Sequence, residues 1–286
     1  MRIVIDMQGA QGSNRQRGIG RYTLSLTQAI VRHCGMHEIF LALNGLLPDT
    51  IESIRAAFDG LLQQQNIRVW EACGPVCSLT AENDWRRRSA ELIREAFLAS
   101  LKPDIVLVSS LFEGPSDDSV TSVGALSRTV PTAVVLYDLI PLIHRDAYLG
   151  NPTVETWYEN KLGHLRRVDL LLAISESSRQ EALHYLNFPA EACFNISTAA
   201  DLQFRPQQVN SRREQEIRLH YGLQRSFVMY TGGCDYRKNI EGLIRAYAKL
   251  PGELRTCHQL AIVCSLQPPI RTELETLARK QGVKDN

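Results

Sequence analysis

Six short apolar runs, each separated from the next by a helix-patterned or polar stretch, constrain this chain more than any other feature. They are RIVIDM (2–7), EIFLAL (38–43), IRVW (67–70), DIVLVSS (104–110), TAVVLYD (132–138) and DLLLAIS (169–175). Runs that are apolar at nearly every residue, not at alternate ones, belong to strands covered on both faces, and interleaved helices supply the cover. The stretches GRYTLSLTQAIVRH, TIESIRAAFDGLLQQ and WRRRSAELIREAFLASL carry the helical spacing this requires. The expected class is therefore α/β, a doubly wound parallel sheet.

After Ser197 the pattern loosens into TAADLQFRPQQVNSRREQE, which reads as a linker. The alternation then restarts with SFVMYTGG, KNIEGLIRAYAKL, QLAIVCSL and PPIRTELETLARKQG. This predicts one α/β domain over 1–205 and, over 206–286, a linker with a second α/β domain, a division that suits 286 residues. Two βα units fall short of the ~5–6 strands of a mean sheet, so the second domain is expected to be incomplete within this chain. Residues 206–286 hold 13 Lys and Arg against 8 Asp and Glu, a balance that suits an anionic ligand. The whole chain has a net charge of only +1, which argues against nucleic-acid binding driven by phosphate neutralisation. No apolar run approaches the ~20 residues of a membrane span, and the N-terminus lacks a signal peptide's basic-then-apolar layout. Seven cysteines, without CxxC spacing, fit reduced thiols. The expectation is a cytoplasmic protein, with peripheral contact at a membrane left open.

Two glycine-bearing turns carry the chemistry. In YTGGCDYRKN (230–239), Gly232 and Gly233 end a strand, and Arg237 and Lys238 stand at a helix start, which is the layout of an anion site. In QGAQGSNRQRGIGRYTLSL (8–26), Gly18 and Gly20 flank Ile19 at another helix start; the turn either faces an anion or does backbone work alone. A dinucleotide fingerprint needs glycine where Thr23 stands and an acid where Asn44 stands, so a nicotinamide site is disfavoured. Tyr137 and Asp138 close a buried strand, where open parallel sheets bind ligands; Asp138 either holds a sugar hydroxyl or caps the turn ahead of Pro141. His144 follows, in the same cleft or in a structural role. Ser175 reads first as a helix cap, with a hydroxyl facing a ligand as the alternative. HRDAYLGN (144–151) copies a kinase catalytic-loop string, but the other kinase elements are missing. The basic helix of 85–102, with Arg86, Arg87, Arg88, Arg94 and Lys102, is either a solvated face or a membrane-surface helix. No P-loop, GxSxG, HExxH or DxD occurs, so no metal ligand set is visible.

Taken together, YTGGCDYRKNIEGLIRA, MRIVIDMQG with GIGRYT, YDLIPLIH and AISESSRQEA resemble the retaining nucleotide-sugar glycosyltransferases of family 4, of GT-B architecture. Their wording is similar to bacterial mannosyltransferases of O-antigen or exopolysaccharide assembly. The resemblance implies transfer of a sugar, mannose in that subgroup, from a nucleotide-sugar donor to a glycan or lipid-linked acceptor, with neither cofactor nor metal. It implies that Lys238 meets the donor diphosphate, with Gly232, Gly233 and Arg237 around it, and that Gly18 and Gly20 lie beside the same phosphates. Tyr137, Asp138 and His144 fall on the acceptor side, and Asp138 and Lys238 are the implied catalytic pair. Gly233 stands where the family has a phosphate-binding arginine, and Tyr137 where it often has histidine. The family's two glutamates, separated by seven residues, would fall beyond Asn286, so this chain alone is expected to turn over poorly. A non-catalytic binding module and a sugar-nucleotide 2-epimerase are the alternatives.

Overall fold

Strand β1 (Arg2–Asp6) lies at the centre of a seven-stranded parallel sheet. Its neighbours are β2 (Glu38–Asn44) and β4 (Ile105–Val108), with Ile5 opposite Leu41 on one side and Leu107 on the other. Beyond β2 lies β3 (Ile67–Trp70); beyond β4 lie β5 (Thr132–Leu136), β6 (Leu170–Ala173) and β7 (Cys193–Asn195), so the order is 3-2-1-4-5-6-7. Winding reverses at β1 and β4, and the carboxyl ends of these two strands frame the crevice where open α/β sheets bind ligands. This computed structural model describes residues 1–201 and 204–286. The chain forms two compact units, Met1–Leu202 and Gln203–Asn286.

Helices α1 (Gly18–Arg32), α2 (Ile51–Ala57), α3 (Asp84–Ser100), the short α4 (Ile140–Ile143) and α5 (Arg145–Tyr148), α6 (Pro152–Leu165) and α7 (Glu176–Tyr185) accompany the sheet. One buried cluster includes Ile5, Met7, Val31, Leu41, Leu43, Ile54 and Phe58; another includes Val4, Leu98, Val108, Val134, Leu162 and Leu165. Each central strand thus contributes alternate residues to two cores, which is why the strands read as unbroken apolar runs. The second unit holds α8 (Ser211–Tyr221), β8 (Ser226–Thr231), α9 (Ile240–Ala248), α10 (Gly252–Cys257), β9 (His258–Val263) and α11 (Pro268–Lys280), with β8 and β9 paired in parallel.

Several sequence expectations change. The expected linker is helical from Ser211 onward, capped by the Asn210 side chain on the Arg213 N–H; residues 202 and 203 of that stretch lie outside the described residues. The kinase-like string is a helix junction in which Asn151 caps α6 and Arg145 binds Glu155 and Glu159. On the basic helix α3, three of the arginines are already paired with acids. Arg94 is 1% exposed and forms an ion pair with Asp6; Arg87 binds Asp84 and Glu91, and Arg88 binds Asp84. Among the described residues, no helix is long and apolar enough to cross a membrane.

Candidate functional site

The first unit gathers its polar side chains at the carboxyl ends of β1 and β4. Asp6, the last residue of β1, accepts hydrogen bonds from the Gln8 backbone N–H at 3.0 Å, from Gln8 Nε2 at 3.1 Å and from Arg94 Nε at 2.6 Å. Arg94 also donates to the Ser122 carbonyl at 3.0 Å. Asn44, at the end of β2, donates to Gln8 Oε1 and to the Asp118 carbonyl, while its N–H binds Gln11 Oε1. Asn44 therefore stands in a buried amide network at the place where a dinucleotide site would carry its acid.

Above this floor runs the loop to α1. Gly20 is buried in the first turn, and a Cβ there would come within 2.2 Å of the Arg15 carbonyl oxygen. Gly18 is exposed, with nothing within 4 Å of the corresponding position. The two glycines thus differ: Gly20 permits a backbone contact, whereas Gly18 leaves the helix start open to solvent. The Gly20 N–H binds the Asn14 carbonyl at 3.3 Å.

Tyr137 links the end of β5 to this turn. Its hydroxyl lies 3.3 Å from Thr23 Oγ1, 3.4 Å from the Ile19 carbonyl and 3.2 Å from the Ser109 carbonyl, and its ring meets Tyr22 edge-on. Burial pushes its phenol well above the ordinary value, so it stays protonated and can donate. The structure thus brings Tyr137, Ile19 and the Gly18–Gly20 turn together. Asp138 is exposed beside them, and its Oδ1 accepts the Ile140 N–H at 3.1 Å, as a turn-capping aspartate does. His144 is exposed at the junction of α4 and α5. Ser175 caps α7 through the Ser178 N–H, and Ser178 Oγ in turn donates to the Tyr137 carbonyl at 2.6 Å.

Sequence reasoning missed the group that braces this turn. Glu113 is fully buried and accepts from Ser110 Oγ at 2.8 Å and from Asn14 Nδ2 at 3.2 Å. Burial pushes its carboxyl up to about 7, against the hydrogen bonds from Ser110 and Asn14. Asp117 binds the Ser13 and Ser119 N–H groups; burial opposes its ionisation, but these bonds outweigh it and hold the carboxyl below its usual range. The string FEGPSDD after β4 was the available signal, but Gly and Pro made it look like an ordinary turn.

In the second unit, the turn after β8 holds Gly232 and Gly233, both exposed, and Tyr230 donates to the Gly233 carbonyl at 2.6 Å. Asp235 accepts from both the backbone N–H and Nε of Arg237, at 3.0 and 2.9 Å, so Arg237 is tied into its own loop. Asn239 caps α9 by accepting the Gly242 N–H at 3.1 Å. Lys238 is exposed immediately before that cap, and among the described residues no ion pair or hydrogen bond engages its ammonium. A free cation next to a helix start adds to the positive end of the helix dipole. Among the described residues, no cluster of three or more His, Cys, Asp or Glu is placed to hold a metal ion.

Known proteins share this fold. No protein-family model matches the chain. Over 284 residues it is 34% identical to the serotype-specific mannosyltransferase WbdA of Escherichia coli, a match covering 99% of this chain and 34% of that protein. WaaG, described as a glycosyltransferase involved in lipopolysaccharide biosynthesis, superposes with a TM-score of 0.57 at 14% identity, over 100% of this chain and 68% of its own. This chain has the GT-B fold and, along 99% of its length, is similar to part of a bacterial mannosyltransferase. It spans about a third of the length of the curated relatives it matches. Anabaena HepE, solved with UDP and glucose, has the same fold, with a TM-score of 0.60 at 14% identity over 99% of this chain and 67% of its own. The UDP-GlcNAc 2-epimerase of Neisseria meningitidis, bound to UDP-GlcNAc, superposes at 0.52 with 13% identity over 98% of this chain and 70% of its own. The GT-B fold alone therefore does not separate transferase from epimerase.

Proposed function

We propose that this chain serves the transfer of a sugar, mannose, from a nucleotide-sugar donor to a glycan or lipid-linked acceptor in the assembly of a bacterial surface polysaccharide. The observation that carries the reading is the 34% identity to a mannosyltransferase along 99% of the chain. In such a transfer the bond from the anomeric carbon to the diphosphate breaks, and negative charge grows on the leaving phosphates. A fixed cation with a helix start behind it stabilises that charge more in the transition state than in the ground state. Lys238, unneutralised at the start of α9, suits this role. Arg237, bound to Asp235, contributes less. Within the first unit, the open Gly18 end of α1 is a helix start suited to an anion, and exposed Asp138 with His144 is the acceptor side. Asp138 has one oxygen on the Ile140 N–H and an exposed carboxylate whose other oxygen would take the acceptor hydroxyl. Retention of anomeric configuration and freedom from a metal belong to the same reading.

The test is radiolabelled sugar transfer from nucleotide-linked mannose, comparing the natural protein with Lys238→Ala. Loss of one such stabilising group lowers turnover by about 10²–10³-fold. Near-normal turnover in the variant sinks the role given to Lys238, and formation of an epimerised sugar nucleotide without acceptor overturns the transferase reading.

A further inference from the structure

The first turn of α1 is held by a chain of contacts that begins at a buried acid. Glu113 binds Ser110 at the end of β4 with Oε1 and the Asn14 amide with Oε2. The main-chain carbonyl of Asn14 receives the N–H groups of Arg17 at 2.9 Å and Gly20 at 3.3 Å. A Cβ on Gly12 would lie 3.1 Å from Glu113 Oε2 and 2.8 Å from Ser119 Oγ, so the loop backbone is seated directly against this acid. We propose that Glu113 is the positioning residue of the α1 turn: its carboxyl clamps the Asn14 side chain, and the Asn14 carbonyl passes that constraint to Gly20. The inference rests on reading that turn as a phosphate-facing site only for its consequence in function; the clamp itself rests on the contacts.

Both contacts place a donor on the carboxyl, Ser110 Oγ–H on Oε1 and the Asn14 amide on Oε2, and each favours the charged form while burial opposes it. The groups facing it are Asp117, which disfavours its ionisation, and Lys161 on α6, which favours it; Tyr137 also lies within its field. Lys161 is itself buried, donates to Thr121, and is pushed down to about 8 by burial.

Hydrogen exchange of the Arg17 and Gly20 amides, corrected for intrinsic rates, tests this in the intact chain. Glu113→Ala removes the acceptor for Asn14 and should lower the protection of both amides about tenfold. Glu113→Gln keeps a carbonyl for Asn14 and should retain most of the wild-type protection. An alanine variant as well protected as wild type, or a glutamine variant as poorly protected as the alanine one, overturns the clamp. Excess UDP or GDP provides the separate readout: if neither slows these amides while the glutamine result stands, the phosphate-facing reading of the turn fails and the clamp survives.

Discussion

Replacing Arg94 by methionine removes the guanidinium from a pair in which both partners are 1% exposed. Asp6 is then left with two donors, the Gln8 N–H and the Gln8 side-chain amide, and no positive charge. Ser122 also loses the donor to its carbonyl. Breaking a buried pair from one side costs about 3–5 kcal/mol, because the remaining charge is uncompensated. The first unit spans Met1–Leu202. At about 2.1 cal/mol/K of unfolding entropy per residue, that loss lowers its melting temperature by roughly 7–12 °C.

The pair itself, as distinct from its disruption, contributes far less, since two well-packed neutral groups replace such pairs at little cost. Asp6→Asn combined with Arg94→Met should therefore recover about 1–2 kcal/mol relative to Arg94→Met alone. The neutral amide introduced by Asp6→Asn still accepts the Gln8 N–H, but its NH₂ group faces the Gln8 side-chain amide, so recovery is partial. Urea unfolding followed by circular dichroism, read on the transition of the first unit, measures both. A loss below about 1 kcal/mol for Arg94→Met, or a double variant no more stable than the single, would refute the argument that Asp6 depends on this charge.

The two glycines of the α1 turn should separate cleanly: Gly20→Ala forces the Arg15 backbone away and should cost about 1–3 kcal/mol, whereas Gly18→Ala should stay within about 0.5 kcal/mol, both by thermal melts. Asn239→Ala removes the α9 cap at a left-handed position, φ +50°, and should cost about 1–2 kcal/mol; Asn239→Gly should cost less, because glycine accepts that backbone. Sugar transfer by the natural protein should be unchanged by EDTA, and rescue of a chelated sample by added divalent metal would count against the metal-free reading.

The strands were legible because burial on both faces leaves no alternation to misread, and the run IRVW coincides residue for residue with β3, Ile67–Trp70. β7 escaped because only Cys193 of its three residues is buried, so an edge strand this short leaves no apolar run. The helix expected from 50 to 64 stops at Ala57, since the chain turns through Gly60 at φ +69°. In the site, the glycines and Lys238 announced themselves through local pattern. Glu113 did not, because its role comes from Asn14, 99 residues earlier, and no local spacing encodes that contact. Arg94 misled for the same reason: its partner is 88 residues away at the end of β1.

These cases give a physical criterion for telling a working cation from a structural one in this fold. Arg87, Arg94, Arg145 and Arg237 each stand in a basic or motif-like string, and each has a carboxylate within ion-pair distance. A cation so neutralised has little field left to offer a phosphate, and pulling it away would expose its partner. Lys238 differs from its neighbour Arg237 in lacking such a partner among the described residues, and it stands directly before the capped start of α9. Its ammonium charge and the helix dipole act in the same direction, and the acid in the first turn of α9, Glu241, is itself paired with Arg245. The adjacent Asp235 therefore has a definite consequence: Asp235→Asn should remove the charge that offsets Arg237 and raise affinity for UDP or GDP at this turn, whereas Lys238→Ala should lower it. Calorimetry showing equal losses for Lys238→Ala and Arg237→Ala, with no gain for Asp235→Asn, would overturn the distinction.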